Sequence, residues 1–469
     1  MPSLSSVQTL QRELADSIIR CAPLDDIRIL LACGARVNEP VTQGLRPLHY
    51  AVYQKYVDCV NLLLVRGSDL DAMDEIGYTA LHLCAERGYI DLVKLLIDHG
   101  ARVKFTELKP DDKALGNPPR ATMADEPLRL AIKNGHVECA EMLLKYGADP
   151  NARYFLGAEI NLISPLNISF MDLLLRYGAN PDSRDRVGLT PLMKACRHPQ
   201  GYAAAKLLIS YGADVNAMTS ERHDFRNVLH YAVLSGNIDI VRLLLNNGAS
   251  VHFPPELQKP TPLDFTILRG NLDMIKLLVD NGANVNVGSP IIGLPLHIAL
   301  SEKMENRKEV LTYLLEAGAD PNAITLDERG PLLKPPLGEY FNSVEDMDPD
   351  LVRLMLKYGA RIIMKAQMHH PLGILKCVHK LRIGRDDKIL DIILSAAESF
   401  SVPSIKRSPL FSEDQRSLLL EYASTPQPLK QLSRLCVRQL LGTDQRILVE
   451  KVDYLHIPIF LKKYLLYEI

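Results

Sequence analysis

The chain has 469 residues, 47% of them hydrophobic, and a formal net charge of −2 at pH 7. This composition supports a folded core, and it excludes both a disordered chain and a surface basic enough to bind nucleic acid in bulk. No apolar run reaches the roughly 18 residues that cross a bilayer, and the first residues lack the pattern of a secretory signal, so we expect no membrane contact and a cytoplasmic location, with the nucleus also open to the protein.

A Gly-Ala pair or a close variant recurs along about four fifths of the chain. It begins at Gly34, Gly67, Gly100, Gly147, Gly178, Gly212, Gly248, Gly282, Gly318 and Gly359. Most successive glycines are 31 to 36 residues apart. A fixed pattern with this period is typical of a stacked solenoid. Solenoids bind partners along an extended surface, which favours a binding function over catalysis in a single cleft.

Most repeats contain a helix-start signal about ten residues after the Gly-Ala pair. This signal reads Arg46-Pro47-Leu48-His49, Thr79-Ala80-Leu81-His82, Thr190-Pro191-Leu192-Met193, Thr261-Pro262-Leu263-Asp264 and Leu294-Pro295-Leu296-His297. Thr at an N-cap and Pro at the first helical position both favour a helix start. A second helix then ends at the next repeat glycine, where a left-handed residue is needed. We interpret the His of this motif as a structural hydrogen-bonding residue, not a metal ligand or a base.

This order and spacing resemble the ankyrin repeat. The resemblance implies an all-α fold, an ankyrin-repeat solenoid with an N-terminal half repeat and about ten repeats. In chain order we predict an N-terminal extension at 1–14, the ankyrin array at 15–400 with the half repeat at 15–38, insertions at 105–125, 253–259 and 323–348, a linker at 401–412, and a C-terminal region at 413–469. Pro and Gly residues in the two long insertions favour loops. We also expect a first helix near 158–164 and a last helix pair between 371 and 395.

Catalytic motifs are missing from the sequence. It has no Gly-x-x-x-x-Gly-Lys phosphate loop, no Gly-x-Ser-x-Gly elbow and no His-Glu-x-x-His motif. His136-Val137-Glu138 matches the start of a zinc deaminase motif, but no Pro-Cys-x-x-Cys follows it. The eight cysteines include no Cys-x-x-Cys and are expected to be reduced thiols. We therefore predict no catalytic residue, no cofactor and no metal site.

Two amphipathic segments lie near the end of the chain. In the first, which begins at Pro428, an apolar stripe at helical spacing is formed by Leu429, Leu432, Ser433, Cys436, Val437 and Leu440. Lys430, Arg434 and Arg438 point away from this stripe. The second segment begins at Pro458, a favourable first residue for a helix, and carries Ile, Phe, Leu and Tyr over much of its surface.

The residues 428–467 resemble a SOCS box (suppressor of cytokine signalling box), a three-helix module. By this resemblance, the contacts to elongin would be Pro428, Leu429, Leu432, Ser433, Cys436 and Val437, with Ser433 at a position where Cys is usual. The contacts to the cullin would be Leu455, Ile457, Pro458, Leu461 and Tyr464. His456 stands where the family's cullin-binding stretch has its first Pro.

Ankyrin repeats followed by a SOCS box are the pattern of the ankyrin repeat and SOCS box family, and the resemblance covers about residues 15–469. It implies a non-catalytic substrate receptor of a ubiquitin ligase. The implied partners are elongin B, elongin C, cullin-5 with its RING-box protein, and an unidentified protein substrate. Two other classes stay open: a plain ankyrin scaffold that is not coupled to ubiquitylation, and an enzyme.

The turns that project between repeats are the candidate substrate contacts. Two successive tips carry mixed charge, and their candidate residues are Arg184, Asp185, Arg186, Glu221, Arg222 and His223. Binding residues are often found on loops that a rigid scaffold positions. An ordinary solvated surface is the alternative interpretation for each of them.

Overall fold

A computed structural model of the chain describes residues 4–105, 125–154, 156–254, 257, 259–289, 292–301, 305–324, 326–327, 330–331, 333–344, 347–380, 388–442 and 448–468. The fold is mainly α-helical, as predicted, and successive helices pack in pairs. By its contacts the chain divides into two compact units, Met1–Ala217 and Met218–Ile469. No helix among the described residues is long and apolar enough to span a bilayer.

The first unit holds twelve helices and one short antiparallel strand pair among its described residues. They are α1 (Leu4–Ile19), α2 (Leu24–Ala32), α3 (Pro47–Tyr53), α4 (Val57–Val65), α5 (Ala80–Arg87), α6 (Ile90–Asp98), α7 (Pro127–Lys133), α8 (Val137–Lys145), β1 (Arg153–Tyr154), β2 (Gly157–Ala158), α9 (Glu159–Leu162), α10 (Ile168–Arg176), α11 (Pro191–Arg197) and α12 (Tyr202–Ser210). The position of α9 confirms the first helix expected near 158–164.

The second unit continues the helix pairs and then adds the C-terminal helices. Its elements are α13 (Val228–Ser235), α14 (Ile238–Asn246), α15 (Pro262–Leu268), α16 (Leu272–Asp280), α17 (Pro295–Ser301), α18 (Arg307–Glu316), β3 (Leu326–Asp327), β4 (Gly330–Pro331), α19 (Pro336–Ser343), α20 (Pro349–Lys357), β5 (Ile362–Met364), α21 (Lys388–Ala396), β6 (Ala397–Phe400), α22 (Val402–Arg407), α23 (Glu413–Ser424), α24 (Leu429–Leu441), α25 (Leu448–Asp453) and α26 (Ile459–Leu465). Strands β3 and β4 pair antiparallel, and β5 and β6 pair parallel.

The helix starts follow the local chemistry of the repeat. Thr190 is the N-cap of α11, where its hydroxyl oxygen accepts a hydrogen bond from the Met193 N–H, and Pro191 occupies the first helical position. The helix before it, α10, is followed by Gly178, whose φ of 87° is rarely adopted by a residue with a Cβ. Leu192 and Cys196 of α11 are completely buried, so this repeat contributes an apolar layer to the core.

The His of the Pro-Leu-His motif is structural, as predicted. Nδ1 of His49, of His297 and of His230 in the equivalent start Asn227-Val228-Leu229-His230 accepts the N-cap backbone N–H at 3.1, 3.3 and 3.1 Å, respectively. Nε2 of His49, His230 and His297 lies 3.2, 3.0 and 2.8 Å, respectively, from a carbonyl oxygen of the following repeat. Burial lowers the pKa of all three, that of His230 to about 4. The rings are therefore neutral at pH 7 and tie each repeat to the next.

A second tie comes from an Asn or Asp four residues after the repeat glycine. Asn38 donates from Nδ2 to Gly67 O at 3.0 Å, and its Oδ1 accepts the Asp69 N–H at 2.8 Å. The same two bonds join Asn151 to Gly178 and Asn180, Asn286 to Gly318 and Asp320, and Asn322 to Gly359 and Arg361. We call this series the Asn ladder. It holds successive turn loops in register, since a side-chain amide matches both backbone groups.

Two predicted boundaries at the ends of the array are wrong. Residues 15–38 are not a half repeat, because α1 begins at Leu4 and packs against both α2 and α3, and its Leu14 and Ile18 are completely buried. No Thr-Pro start marks α1, so the repeat pattern did not reveal it. Residues 401–412 are not a free linker. Ser401 caps α22, and Ile405 in that helix is completely buried.

The predicted insertion at 323–348 is only partly correct. Its second half is α19, the first helix of a repeat, in which Pro336 occupies the first turn and Tyr340 and Phe341 are completely buried. The Pro residues that suggested a loop are helix-start residues here. Of the helix pair predicted between 371 and 395, the described residues 371–380 and 388–395 contain turns, a 3-10 helix at Val378–Lys380 and the α-helix α21. The insertion predicted at 105–125 lies mostly outside the described residues.

One repeat carries Asp264 at the position where the other motif copies carry His or Met. The completely buried Asp264 accepts the Thr261 N–H at 2.7 Å through Oδ2, but its Oδ1 has no hydrogen-bond partner among the described residues. Burial raises the pKa of this carboxyl from 3.8 to about 7. A raised pKa favours the protonated form in the folded state, so this contribution to stability is present below about pH 4 and is lost as the pH rises through about 7.

We therefore expect Asp264→Asn to raise the free energy of unfolding at pH 8 by about 2–4 kcal/mol, since an amide needs no ionisation in the buried site. Urea unfolding of both proteins at pH 5 and pH 8 measures the effect. The stabilisation should shrink at pH 5, where the wild-type carboxyl is mostly protonated. An equal effect at both pH values would contradict the assignment.

Candidate functional site

Helix α24 turns its apolar stripe toward solvent. Leu429 is 80% exposed and Leu440 is 75% exposed, and Leu432, Ser433 and Cys436 on the same side are also exposed. We call these five residues the outer face of α24. Large apolar side chains in such a contiguous set are typical of a protein-binding surface, because a solvated helix normally buries its apolar side.

The charged side of α24 is the side that faces the protein. Arg434 is buried, its Nη2 donates to Ser395 O at 3.3 Å near the end of α21, and its guanidinium lies 3.9 Å from the Tyr467 ring centroid. Arg438 donates from Nη1 to Leu465 O at 2.6 Å and from Nη2 to Leu356 O. These carbonyls belong to the last turns of three helices, where positive charge is favourable.

Burial lowers the pKa of Arg438 to about 10, so the guanidinium stays charged at pH 7. Two ion pairs support the same contact region: Arg361 bonds Glu398 at 2.6 Å, and Lys357 bonds Glu468 at 2.8 Å. Gln439 of α24 also donates to Glu398 at 3.1 Å. Within the second unit, α24 is therefore fixed to the last repeat by polar contacts, which leaves its apolar side uncovered.

The helices α25 and α26 form a small apolar core with the inner side of α24. Its buried members are Leu448, Val452, Leu465 and Leu466, and Val437, Leu441, Val449, Leu455 and Ile457 pack against them. A Cβ at Gly359, the glycine after α20, would lie 3.8 Å from Leu448. This core connects the C-terminal helices to the end of the last repeat.

The structure brings five of the six predicted elongin contacts together on one surface. Pro428 is the exposed N-cap of α24, and Leu429, Leu432, Ser433 and Cys436 follow on the outer face. Val437 differs, because it is half-buried and packs on the small apolar core. Leu440 belongs to the outer face although it was not among the predicted contacts.

The five predicted cullin contacts do not share one surface. Pro458 and Leu461 are exposed. Leu455 and Ile457 pack against the small core, and the Tyr464 ring lies 4.3 Å from Lys430 Nζ and 4.5 Å from the Arg434 guanidinium.

Two exposed side chains in the first turn of α26 were missed by the sequence reasoning. Ile459 is 69% exposed and Phe460 is 58% exposed. Their position directly after Pro458 could have indicated their exposure. Pro458 marks a helix start, and side chains in the first turn have no preceding helical turn to pack against.

Asp185 is wrong as a candidate substrate contact, because it is buried. Its Oδ1 accepts the N–H groups of Val187 and Leu189 at 2.9 and 2.8 Å, and its Oδ2 pairs with Lys194 at 2.6 Å. A short Asp side chain that accepts from the following backbone stabilises a turn. Arg184 and Arg186 beside it are exposed.

In the second unit, Glu221, Arg222 and His223 form a 3-10 turn, in which the first two are exposed. The neighbouring Asp224 pairs with Lys259 at 3.0 Å, and this contact lowers the pKa of the carboxyl. Within the part of the chain that the structure describes, no group of three or more His, Cys, Asp or Glu side chains could hold a metal ion.

Two known families match the sequence. The one described as Ankyrin repeats (3 copies) matches residues 19–107, 48–154, 164–255 and 253–325, and the one described as SOCS box matches residues 425–466. The SOCS box match contains α24, α25 and α26, so it covers the outer face and the small apolar core.

Several curated proteins are similar to parts of the chain. Human Ankyrin repeat and SOCS box protein 16 is 30% identical over 245 residues, which are 51% of this chain and 44% of that protein. Human palmitoyltransferase ZDHHC17 is 36% identical over 127 residues, 27% of this chain and 20% of that protein. The zebrafish protein of the same name is 35% identical over 140 residues, with 29% and 22% covered. The chain therefore spans less than half the length of each of these relatives.

Proposed function

Because the chain belongs to the ankyrin repeat and SOCS box proteins, we propose that it is the substrate-recognition subunit of a cullin-RING ubiquitin ligase. The repeats bind a target protein, and the C-terminal helices recruit the ligase. In finer detail, α24 binds elongin C in its complex with elongin B, and the first turn of α26 contacts cullin-5 with its RING-box protein. The chain itself is non-catalytic and acts in the cytoplasm.

The observation that carries the proposal is the orientation of α24. Its arginines donate to helix-end carbonyls of the same unit, and Leu429, Leu432 and Leu440 are left in water. An amphipathic helix that offers apolar anchors at this spacing suits a groove on a partner. The arginines of α24 hold one side of the helix on the second unit. The outer face is therefore the side that is free to dock on a partner.

The proposed mechanism is a gain in effective concentration. A target held by the repeats and a ubiquitin-charged enzyme held by the cullin share one assembly, so the transfer to a target lysine no longer depends on diffusional encounter. The polar ties between α24 and the last repeat support this function, because they fix the docking helix on the second unit and so limit the positions that a bound lysine samples.

Co-expression of the full chain with elongin B and elongin C tests the proposal. We expect the three proteins to copurify in equal amounts through size-exclusion chromatography, and the complex to bind cullin-5 when it is added. A chain that stays folded and elutes without the elongins would instead support the plain ankyrin scaffold.

The cullin contact is tested separately by Phe460→Asp. A carboxylate in the first turn of α26 should weaken cullin-5 capture by about tenfold or more, because Phe460 is a large exposed side chain whose burial in an interface would be lost. Retention of elongin B and C should not change. Immobilised elongin-bound complexes of wild type and variant, compared at equal elongin content, measure the difference.

Tyr422→Asp on α23 is the matched control, since that side chain is also aromatic and exposed. It should leave cullin-5 capture unchanged. A double Ile457→Ala and Pro458→Ala variant is less informative, because Ile457 packs on the small apolar core. Equal cullin-5 capture by wild type and Phe460→Asp would remove α26 from the proposed contact.

A further inference from the structure

The Asn ladder has a gap in the second unit, at His252. This residue stands four positions after Gly248, where Asn286 and Asn322 stand in the following repeats. In those repeats the side-chain amide bonds the next glycine carbonyl and the next loop N–H. The bonds of His252 are instead local, from its own N–H to Ser250 and from the Ser250 hydroxyl to its carbonyl.

The gap leaves one acceptor and one donor unused on the next loop. By the register of the ladder they are Gly282 O and the Asn284 N–H, and neither has a hydrogen-bond partner among the described residues. Both residues are exposed, so a ligand can reach them. The equivalent pair at Gly318 and Asp320 is occupied by the Asn286 carboxamide. Gly282 O and the Asn284 N–H can therefore bind a carboxamide, whose N–H donates to the carbonyl and whose oxygen accepts from the N–H.

A cavity opens at the same place. It has a volume of about 220 Å³, and its lining is formed by five apolar residues and three polar ones: Val251, Phe253, Leu263, Ala283 and Val287, with His252, Thr261 and Asn284. An apolar cavity of about 150 Å³ is large enough for benzene, so this one has room for one branched or aromatic side chain. The cavity adjoins the predicted insertion at 253–259, and Phe253 at the start of that insertion is buried against His230.

We propose that this gap is a docking site for a protein substrate. The occupant is a segment that inserts one large apolar side chain into the cavity and places a neighbouring amide, from its backbone or from Asn or Gln, on Gly282 O and the Asn284 N–H. The site rests on the proposed function, because it specifies where and by what chemistry the repeats hold a target. An apolar cavity with a few placed polar groups is the general form of a binding pocket.

His252→Asn is the decisive variant, since it supplies the missing ladder amide from within the chain. The probes are N-acetyl-leucinamide, which carries an apolar side chain beside a carboxamide, and 4-methylpentanoate, which keeps the branched side chain but has a carboxylate and no N–H to donate. In amide NMR spectra of the full chain, the leucinamide should produce a saturable shift at Asn284 and Val287. We expect the carboxylate probe and the His252→Asn variant each to weaken this binding about tenfold or more.

A second measurement separates the restored bond from a damaged fold. His252→Asn should raise the midpoint of thermal unfolding, whereas Asn286→His in the next repeat should lower it and leave leucinamide binding at Asn284 intact. Ala283→Leu, which fills the cavity, should also abolish binding. The proposal is overturned if wild type shows no saturable shift, or if His252→Asn with a raised unfolding midpoint binds the leucinamide as wild type does.

These results are independent of ligase assembly. Retention of elongin B and C depends on α24 and should be the same in wild type, His252→Asn and Ala283→Leu. If elongin retention fails in all three while leucinamide binding follows the expected order, the proposed function is wrong and the binding site stands. If elongin retention is intact and the leucinamide does not bind, only the site is wrong.

Discussion

Replacing Leu429 by Asp is expected to abolish the capture of elongin B and C. Leu429 is the most exposed apolar side chain of the outer face, and a carboxylate there would have to enter an apolar groove without a partner. Loss of one central anchor typically costs about 2–4 kcal/mol, or roughly 30- to 1000-fold in affinity. Titration of purified elongin B and C onto the immobilised chain measures the change.

The chain also offers a matched control for this variant. Val65 at the end of α4 is 81% exposed, as Leu429 is 80% exposed, but it lies in the first unit. Val65→Asp should leave elongin affinity unchanged, and both variants should unfold within about 0.5 kcal/mol of wild type because neither side chain is buried. Retained elongin capture by Leu429→Asp would show that the outer face of α24 is not the docking surface.

Replacing Arg438 by Met is expected to loosen the C-terminal helices from the last repeat. The change removes the donors to Leu356 O and Leu465 O and leaves two helix-end carbonyls without their charged partner. Hydrogen bonds to charged groups contribute about 1.5–3 kcal/mol each, so we expect a loss of about 2–4 kcal/mol in local stability. Amide hydrogen exchange in α24 should accelerate by roughly 30-fold or more.

Arg407→Met is the control for this measurement, since Arg407 is exposed at the end of α22. Exchange rates in α24 should be the same in that variant and in wild type. Unchanged exchange in Arg438→Met would mean that the small apolar core alone fixes α24. A useful companion readout is elongin capture, which should persist because the outer face keeps its side chains.

The regular part of the fold could be predicted because its determinants are local. A Thr or Pro at a helix start and a left-handed Gly at a helix end act within a few residues, so they are visible in the sequence as a period. The helix α1 lacks such a start, and α19 begins in a Pro-containing stretch that we predicted to be a loop. Identifying α1 and α19 as helices of the array requires knowing which segments they pack against, and the local sequence does not show this.

The candidate site was predictable in its residues but not in its orientation. An apolar stripe on α24 is evident from spacing, yet a stripe normally indicates the buried side. The reversed orientation arises because Arg434 and Arg438 find aromatic rings and helix-end carbonyls contributed by distant segments. Contacts with distant segments cannot be predicted from the spacing of apolar and charged residues within α24.

The error at Asp185 had a signal in the sequence. Asp185-Arg186-Val187-Gly188 repeats the arrangement Asp74-Glu75-Ile76-Gly77. In that earlier turn Asp74 Oδ1 accepts the N–H groups of Ile76 and Gly77 at 2.9 and 2.8 Å. Recognising the shared Asp-x-x-Gly turn would have assigned Asp185 to the loop backbone, and Arg184 and Arg186 alone to the surface.

The arginine contacts of α24 bear on how such receptors could be recombined. Arg434 and Arg438 take their acceptors from Ser395 and Leu356, and Leu448 packs close to Gly359. Those acceptors belong to the final repeat, so a chimera that joins only residues 425–468 to a foreign array would lose the Ser395 acceptor of Arg434 and the Leu356 acceptor of Arg438. The transferable unit is larger, and a graft intended to redirect a ligase should carry the segment from α19 onward as one piece.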